Sequence, residues 1–215
     1  MKRREFIIAV GTAVGANLTG CGLGPLISDH PEAASGPLRA LRVDQDQCIG
    51  CRFCEEACHD TNVSTGRNEG PLITVHPFSG PYHVAWACLG CPDLPCVRAC
   101  DYYSDPLRHE KALRVDPATR ALTLDRHWCA GCERCIEACE REGAGVLRWN
   151  DSEYIAGFCH LCDGEPACVP RCPVNAIELI EVDRAADLSP RTIRETARQG
   201  IIRVHGFEPL PEDVN

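Results

Sequence analysis

Residues 48–58 read CIGCRFCEEAC, with cysteines at positions 48, 51, 54 and 58. The pattern returns three times. Residues 88–100 read CLGCPDLPCVRAC (Cys88, Cys91, Cys96, Cys100), residues 129–139 read CAGCERCIEAC (Cys129, Cys132, Cys135, Cys139), and residues 159–172 read CHLCDGEPACVPRC (Cys159, Cys162, Cys168, Cys172). Sixteen of the 17 cysteines fall in these four groups, and the other is Cys21. In each group three thiols lie close together and the fourth follows one helical turn after the third.

That spacing is the ligand pattern of bacterial-type ferredoxins. Three cysteines wrap one cubane from a single tight loop, and the fourth points toward a neighbouring cluster. Sixteen thiolates are enough for four 4Fe–4S clusters, which take up and release single electrons, so the spacing predicts a chain that conducts electrons. Gly50 and Gly131 stand between the first two cysteines of their groups, where glycine admits positive φ and close backbone approach. Zinc needs four ligands, usually as two CxxC pairs, and leaves no use for a regular third and fourth cysteine. A disulfide framework suits a short secreted chain rather than four near-copies of one motif. His59 after Cys58 does not make a c-type haem site, because three residues separate Cys54 from Cys58 and that site needs CxxCH.

The chain is internally duplicated. VDQDQCIGCRFCEEAC (43–58) aligns with LDRHWCAGCERCIEAC (124–139) at Asp44/Asp125, Gly50/Gly131, Glu56/Glu137, Ala57/Ala138 and every cysteine. The second and fourth groups share an expanded gap before the third cysteine, holding Pro95 or Pro166, and Val97 or Val169 follows that cysteine. Repeats of this kind imply repeated structural units. Sequential pairing (first group with second, third with fourth) and nested pairing (first with fourth, second with third) both join one regular to one expanded group, so spacing leaves both open.

A length of 215 residues allows one or two domains. With 6% aromatic residues and one Met, a large conventional core is not expected, and metal binding has to supply folding free energy. The net charge of −9 disfavours nucleic acid as a partner, since phosphate contacts need a basic surface.

The chain begins MKRREFIIAVGTAVGANLTGCG. Arg3-Arg4 followed by Phe6-Ile7-Ile8 resembles a twin-arginine export signal, and Leu18-Thr19-Gly20-Cys21 resembles a bacterial lipobox in which Cys21 is lipidated. The stretch between them is too short and too weakly apolar for a membrane span. Residues 22–41 read as a linker, rich in Gly and Pro up to Pro37. Strands are expected at Leu41–Val43, 146–149 and 176–180, and hairpins from 72–75 with 82–86 and from 112–115 with 121–124. Short helical turns should surround each fourth cysteine. Ser189, Pro190 and Gly200 read as the N-cap, first residue and C-cap of a late helix, and the acidic, Pro-rich tail after it as frayed. Trp86, Trp128, Tyr102 and Tyr103 are expected to pack around the clusters, and His76, His83 and His160 to lie near but not in the ligand sets.

Residues 42–183 or thereabouts resemble the four-cluster iron–sulfur subunits of molybdenum or tungsten bis-pterin oxidoreductases, the dimethyl sulfoxide reductase family. All sixteen motif cysteines match that family's pattern. The resemblance implies nested pairing. Cys48, Cys51, Cys54 and Cys172 would hold one cluster, and Cys159, Cys162, Cys168 and Cys58 a second. Cys88, Cys91, Cys96 and Cys139 would hold a third, and Cys129, Cys132, Cys135 and Cys100 the fourth. It implies an α+β fold of two bacterial ferredoxin-like 2[4Fe–4S] modules with short strands, hairpins and short helices. Segments 42–87 and 140–183 would form the first module, and 88–139 the second, inserted one. The signal and lipobox would occupy 1–21, and a C-terminal helix and tail 184–215. It further implies a non-catalytic subunit passing electrons between a molybdenum or tungsten pterin catalytic subunit and a membrane quinone-linked or cytochrome subunit. The site would be the periplasmic side of the cytoplasmic membrane. The family commonly has proline after each fourth cysteine. Only Pro173 obeys, while His59, Asp101 and Glu140 replace it elsewhere, and a carboxylate there should lower the potential if it is unscreened.

Two other readings stand beside this one. The fourth group with its flank, CHLCDGEPACVPRCPVNAIEL, also looks like iron–sulfur partners of tungsten aldehyde oxidoreductases and carbon monoxide dehydrogenases. A free, lipid-anchored polyferredoxin would use the same motifs. A self-sufficient enzyme is disfavoured, because the chain has no Gly-rich βαβ fingerprint and no spare cysteine in its body.

Overall fold

Short antiparallel strand pairs and one- to four-turn helices carry the backbone from each cysteine group to the next. The computed structural model describes residues 37–64, 70–78, 82–105, 107, 110–150, 155–182 and 192–214, all within one unit, Pro31–Asn215. Arg3, Arg4, Cys21 and the linker up to residue 36 lie outside the described residues.

In chain order the elements are β1 (Leu38–Val43), α1 (Phe53–Ser64), β2 (Thr74–Pro77), β3 (His83–Trp86), α2 (Pro95–Arg98), β4 (Tyr103–Asp105), β5 (Glu110–Lys111), β6 (Leu113–Val115) and β7 (Leu122–Leu124). There follow α3 (Arg134–Glu142), β8 (Arg148–Asn150), β9 (Ile155–Gly157), a 3-10 turn (Leu161–Gly164), β10 (Ile177–Val182), α4 (Ile193–His205) and a last 3-10 turn (Pro211–Val214). The class is α+β. The strands form five two-stranded sheets. Isolated pairs of this length are marginal in water, so each depends on what packs against it.

Two of the pairs set the topology. β1, which leads into the first cysteine group, pairs with β10, which leaves the fourth, in the register Leu38↔Val182 to Val43↔Ile177. β7 leads into the third group and pairs with β6, which follows the second, in the register Leu113↔Leu124 to Val115↔Leu122. The aspartates of the repeat close both junctions alike. Asp44 N–H donates to Ala176 O (2.8 Å), and Asp125 N–H to Ala112 O (2.8 Å). The Asp44 carboxylate then accepts from Asp46 N–H (3.0 Å), and the Asp125 carboxylate from His127 N–H (3.1 Å), turns that aim the chain into the cysteine loop. The strand pairing is therefore nested, the first group with the fourth and the second with the third.

The two helices that follow the regular groups also match. Arg52 (φ 65°) and Glu133 (φ 64°) turn the chain immediately before α1 and α3. Glu55 and Glu56 occupy the first turn of α1 and Glu137 that of α3, where the helix dipole favours them. Glu55 also accepts a hydrogen bond from Val75 N–H (2.5 Å), tying α1 to β2.

The hairpin of β2 and β3 forms as the alternation predicts. Both faces of β3 are buried. Val84 and Trp86 enter one apolar cluster with Cys96, Cys139 and Leu113, and Ala85 enters another with Cys54, Cys58 and Ile73, as a period-two strand between two cores requires. Cysteines are built into both cores, which is how a chain with few aromatics fills them.

The late helix differs from the sequence expectation. Thr192 is the N-cap of α4, accepting from Glu195 N–H at 3.2 Å, in a Thr-x-x-Glu capping arrangement. Gly206 (φ 75°) ends it, with its N–H on Ile202 O at 2.8 Å. Gly200 lies inside the helix rather than at its end. It is a packing glycine, because a Cβ there would overlap the Tyr82 ring. Ile201, expected at the start of a frayed tail, is 1% exposed against Tyr82 and Val84.

Candidate metal centres

The four cysteine loops share one backbone device. The residue just before the second cysteine has positive φ in every group: Gly50 (69°), Gly90 (61°), Gly131 (64°) and Leu161 (54°). In three of the groups the backbone N–H of that residue lies near the sulfur of the first cysteine and opposes the upward push of burial on its thiol: Gly50 at Cys48, Gly90 at Cys88 and Leu161 at Cys159. A turn of this kind aims backbone N–H groups into a concavity that favours negative charge. At Gly50 the conformation is doubly constrained, since a side chain would meet the His83 ring. Leu161 adopts the same turn while its side chain anchors the second core at 3% exposure.

The loops face three small cavities lined mainly by thiols and apolar groups. The first holds Cys88, Cys91, Cys96 and Cys139, with Cys159 on its border. The second holds Cys100, Cys129, Cys132 and Cys135, with Tyr102 and Trp149. The third holds Cys58, Cys159, Cys162 and Cys168, with Asn62 and His160. Cys48, Cys51, Cys54 and Cys172 make the fourth set. Cys48 lies within electrostatic reach of Cys172 and Cys51, and Cys54 within reach of Cys48 and Cys51. Each set joins three cysteines of one group to the last cysteine of another. These are the sets that the family resemblance implies, and sequential sets are not brought together.

The helices explain the arrangement. Cys54 and Cys58 are four apart on α1, as are Cys135 and Cys139 on α3. Such residues share a face one turn apart, so each helix offers one thiol to each of two adjacent sets. Cys159 and Cys88 lie within electrostatic reach of each other and link the third cavity to the first. The sets thus follow one another in a row. The two exposed motif cysteines are Cys51 and Cys132, one in each terminal set.

Burial first pushes the free Cys54, Cys135 and Cys168 thiols up to about 12, helped at Cys54 by the Glu55 carboxylate and then Cys48 and Cys51, and at Cys135 and Cys168 by neighbouring sulfurs. Cys88 also reaches about 12 through burial, and burial drives Cys96 and Cys159 well above the usual thiol range. Buried neutral thiols this close together carry charge only if a cation compensates it, so loading metal expels protons. Among the described residues no three His, Cys, Asp or Glu side chains converge as a single ion requires; zinc would need thiolates at about 2.3 Å. Four thiols spaced around a cavity fit a polynuclear iron–sulfur group.

The flanking residues divide. Trp86 is buried and donates its indole N–H to Ala144 O (2.8 Å). Tyr102 lines the second cavity. Trp128, expected to pack inward, is 46% exposed and lies edge-on to His127; the Asp125 turn directs it outward. Of the residues in the proline positions, Asp101 forms an ion pair with Arg134, which screens its charge, and Glu140 is exposed. Asn62 escaped the sequence reading altogether. Its position four residues after Cys58 on a helix was the available signal.

No protein-family model matches the chain. It is 32% identical to the polyferredoxin-like component of the aliphatic sulfonate oxidoreductase of Pyrococcus furiosus over 132 residues, 61% of this chain and 70% of that protein. It is 30% identical to the electron transport protein HydN of Escherichia coli K12 over 183 residues, 74% of this chain and 97% of that protein. It is 25% identical to the putative iron–sulfur subunit of the dimethyl sulfoxide reductase of Halobacterium salinarum, over 81% of this chain and 78% of that protein. With three cavities each lined by four cysteines of two groups and relatives of this kind, the chain belongs to the family of iron–sulfur electron-transfer subunits of oxidoreductases.

Proposed function

We propose that the chain is a non-catalytic, four-cluster electron conduit built from two ferredoxin-like modules, one inserted in the other. Segments 42–87 and 140–183 form the outer module and 88–139 the inner one. The reading rests on one observation above all: three cavities are each lined by three cysteines of one group and the fourth cysteine of its nested partner. Cys48, Cys51, Cys54 and Cys172 hold the first 4Fe–4S cluster, and Cys58, Cys159, Cys162 and Cys168 the second. Cys88, Cys91, Cys96 and Cys139 hold the third, and Cys100, Cys129, Cys132 and Cys135 the fourth. When bound, each cluster supplies one-electron redox chemistry. The protein residues position the sulfurs, donate backbone N–H groups to them, and keep water from the two interior sets, where Cys58, Cys91, Cys96, Cys139 and Cys168 are buried. Electrons enter and leave at the ends marked by Cys51 and Cys132.

The partners are a molybdenum or tungsten pterin catalytic subunit at one end and a membrane quinone-linked or cytochrome subunit at the other. The similarity to the Halobacterium salinarum protein, whose name places it with dimethyl sulfoxide reductase, supports this choice. A second reading, in which the catalytic partner is a different oxidoreductase, is favoured by the Pyrococcus furiosus relative, named as part of an aliphatic sulfonate oxidoreductase. Export by the twin-arginine route and lipidation of Cys21 would place the complex on the periplasmic side of the cytoplasmic membrane. Affinity purification of the tagged chain from solubilised membranes, with metal analysis of what co-purifies, tests the proposal. Recovery of a molybdenum- or tungsten-containing pterin subunit and a multi-span subunit is the expected result. Recovery of the loaded chain alone, in the soluble fraction, would reject it.

A further inference from the structure

Among the described residues, Asn62 is the buried side chain of the polar and charged types, at 1% exposure, beside the thiols, the Tyr82 hydroxyl and the Trp86 indole. It sits within α1, four residues after Cys58, where asparagine is a poor helix former. Its Nδ2 donates to Cys58 O at 2.7 Å and reaches Cys58 Sγ at 3.3 Å. Its Oδ1 lies 2.9 Å from His160 Nε2. The network fixes the orientation of the carboxamide. Cys58 O can only accept, so the nitrogen end must face it, and Oδ1 therefore accepts from His160 Nε2–H. His160 thus holds the amide so that an N–H is aimed at the Cys58 sulfur. The same sulfur accepts from Leu72 N–H at 3.2 Å.

The third and fourth groups place no such side chain at this position. Four residues after Cys139 stands Gly143, the C-cap that ends α3, and four after Cys172 stands Ala176. Neither carries a side-chain donor. At Ala176 the backbone N–H meets the Cys172 sulfur at 3.2 Å instead.

We infer that Asn62 is a positioning residue that raises the reduction potential of the cluster held by Cys58, Cys159, Cys162 and Cys168. This rests on the ligand assignment proposed above. Reduction adds one electron and no proton, and the extra negative charge is spread over the sulfurs. A buried N–H aimed at one of them stabilises the reduced form more than the oxidised form, and hydrogen bonds to the sulfurs are among the terms that set such potentials. The second set in the row therefore becomes a resting place for the electron. Removing the donor should shift its oxidised-to-reduced ratio at a fixed potential about tenfold toward oxidised, equivalent to about 59 mV for a one-electron couple.

The test is a redox titration, followed by electron paramagnetic resonance, of the anaerobically purified, iron-loaded full chain. Cys58→Ser identifies the signal of this cluster. Asn62→Leu keeps the volume and removes the donor, and is expected to move that signal about tenfold to lower potential while the other three stay in place. His160→Gln keeps an amide N–H for Oδ1 and should leave it near the wild-type value. If Asn62→Leu loads iron poorly, His160→Leu, which leaves Asn62 in place without its orienting donor, should still move the same signal downward. An unmoved signal in the loaded variants would reduce Asn62 to a helix tether. If Cys58→Ser leaves all the signals unchanged, the ligand assignment itself fails and the inference falls with it.

Discussion

Cys139 decides between the two pairing schemes. It is 4% exposed, lies on α3 one turn beyond Cys135, and lines the cavity of Cys88, Cys91 and Cys96. Cys96 is 6% exposed in that cavity, and Cys168 is 4% exposed in the cavity of Cys58, Cys159 and Cys162. Under nested pairing Cys139→Ala and Cys96→Ala remove ligands from the same cluster, so each should lower iron from about sixteen to about twelve per chain. The double variant should also hold about twelve, because the second substitution strikes a site already empty. Under sequential pairing Cys139 would serve the fourth group. The double variant would then fall to about eight iron, and Cys139→Ala combined with Cys168→Ala would stay near twelve. Non-additivity is the signature of two residues acting on one site. The assay is iron and acid-labile sulfide per chain after anaerobic purification, with electron paramagnetic resonance spectra of each single and double variant. Additive loss in Cys96→Ala/Cys139→Ala, with no further loss in Cys139→Ala/Cys168→Ala, would refute the nested reading.

Other outcomes are open to direct measurement. The native chain should hold about sixteen iron and sixteen sulfide; stoichiometric zinc, or iron near eight, would contradict the proposed cofactor set. Arg3-Arg4→Lys-Lys should leave loaded precursor in the cytoplasm, and Cys21→Ala should abolish lipid labelling and release protein from membranes, both read by fractionation. Gly200→Ala should destabilise the docking of α4 by about 1–3 kcal/mol through overpacking against Tyr82, with Tyr82→Phe relieving part of it in thermal melts of the loaded protein. Chelation of iron under anaerobic conditions should abolish amide-exchange protection in β1 and β10, and protection that survives chelation would show a core that stands without metal.

Much of the fold was legible because its signals are local. The cysteine spacing, the strand alternation at 72–75 and 82–86, and the Asp-Pro turn between β6 and β7 each depend on neighbours in sequence. The partner of β1 was not legible. Its pairing with β10 crosses more than a hundred residues, and nothing in either strand's pattern names the other. Which fourth cysteine joins which cavity is the same long-range question. Leu161 shows a different limit: it adopts the φ of Gly50 and Gly131 without their composition, so a search for glycine finds three loops and misses the fourth. Gly200 misled in the opposite sense. Its composition signals a helix end, but tertiary packing against Tyr82 claims it for the helix interior. Asn62 was missed because a lone asparagine reads as solvent-exposed until the fold brings His160 to it.

The nested topology also bears on when the chain folds. Joining Cys172 to the loop of Cys48 and Cys51, and β10 to β1, closes nearly the whole body. Loop closure on that scale has to be met before the contacts it permits can form, and non-local pairing of this kind folds slowly. The strands that would carry the closure are six residues long and have no third partner among the described strands, so they offer little to hold it. A metal group bridging the two segments acts as a cross-link, and its binding free energy becomes folding free energy. The inner pair, β6 with β7, is closed by the Asp116 turn, whose carboxylate accepts from Ala118 and Thr119 N–H at 2.8 Å each. It can form locally and early. The pairing of β1 with β10 then has to wait for the last cysteine group to be synthesised. Assembly in this order finishes only when the chain is complete and iron has been supplied. An export route that carries folded proteins, as the Arg3-Arg4 signal proposes, fits such a protein; one that threads an unfolded chain would deliver the cysteines without their metal.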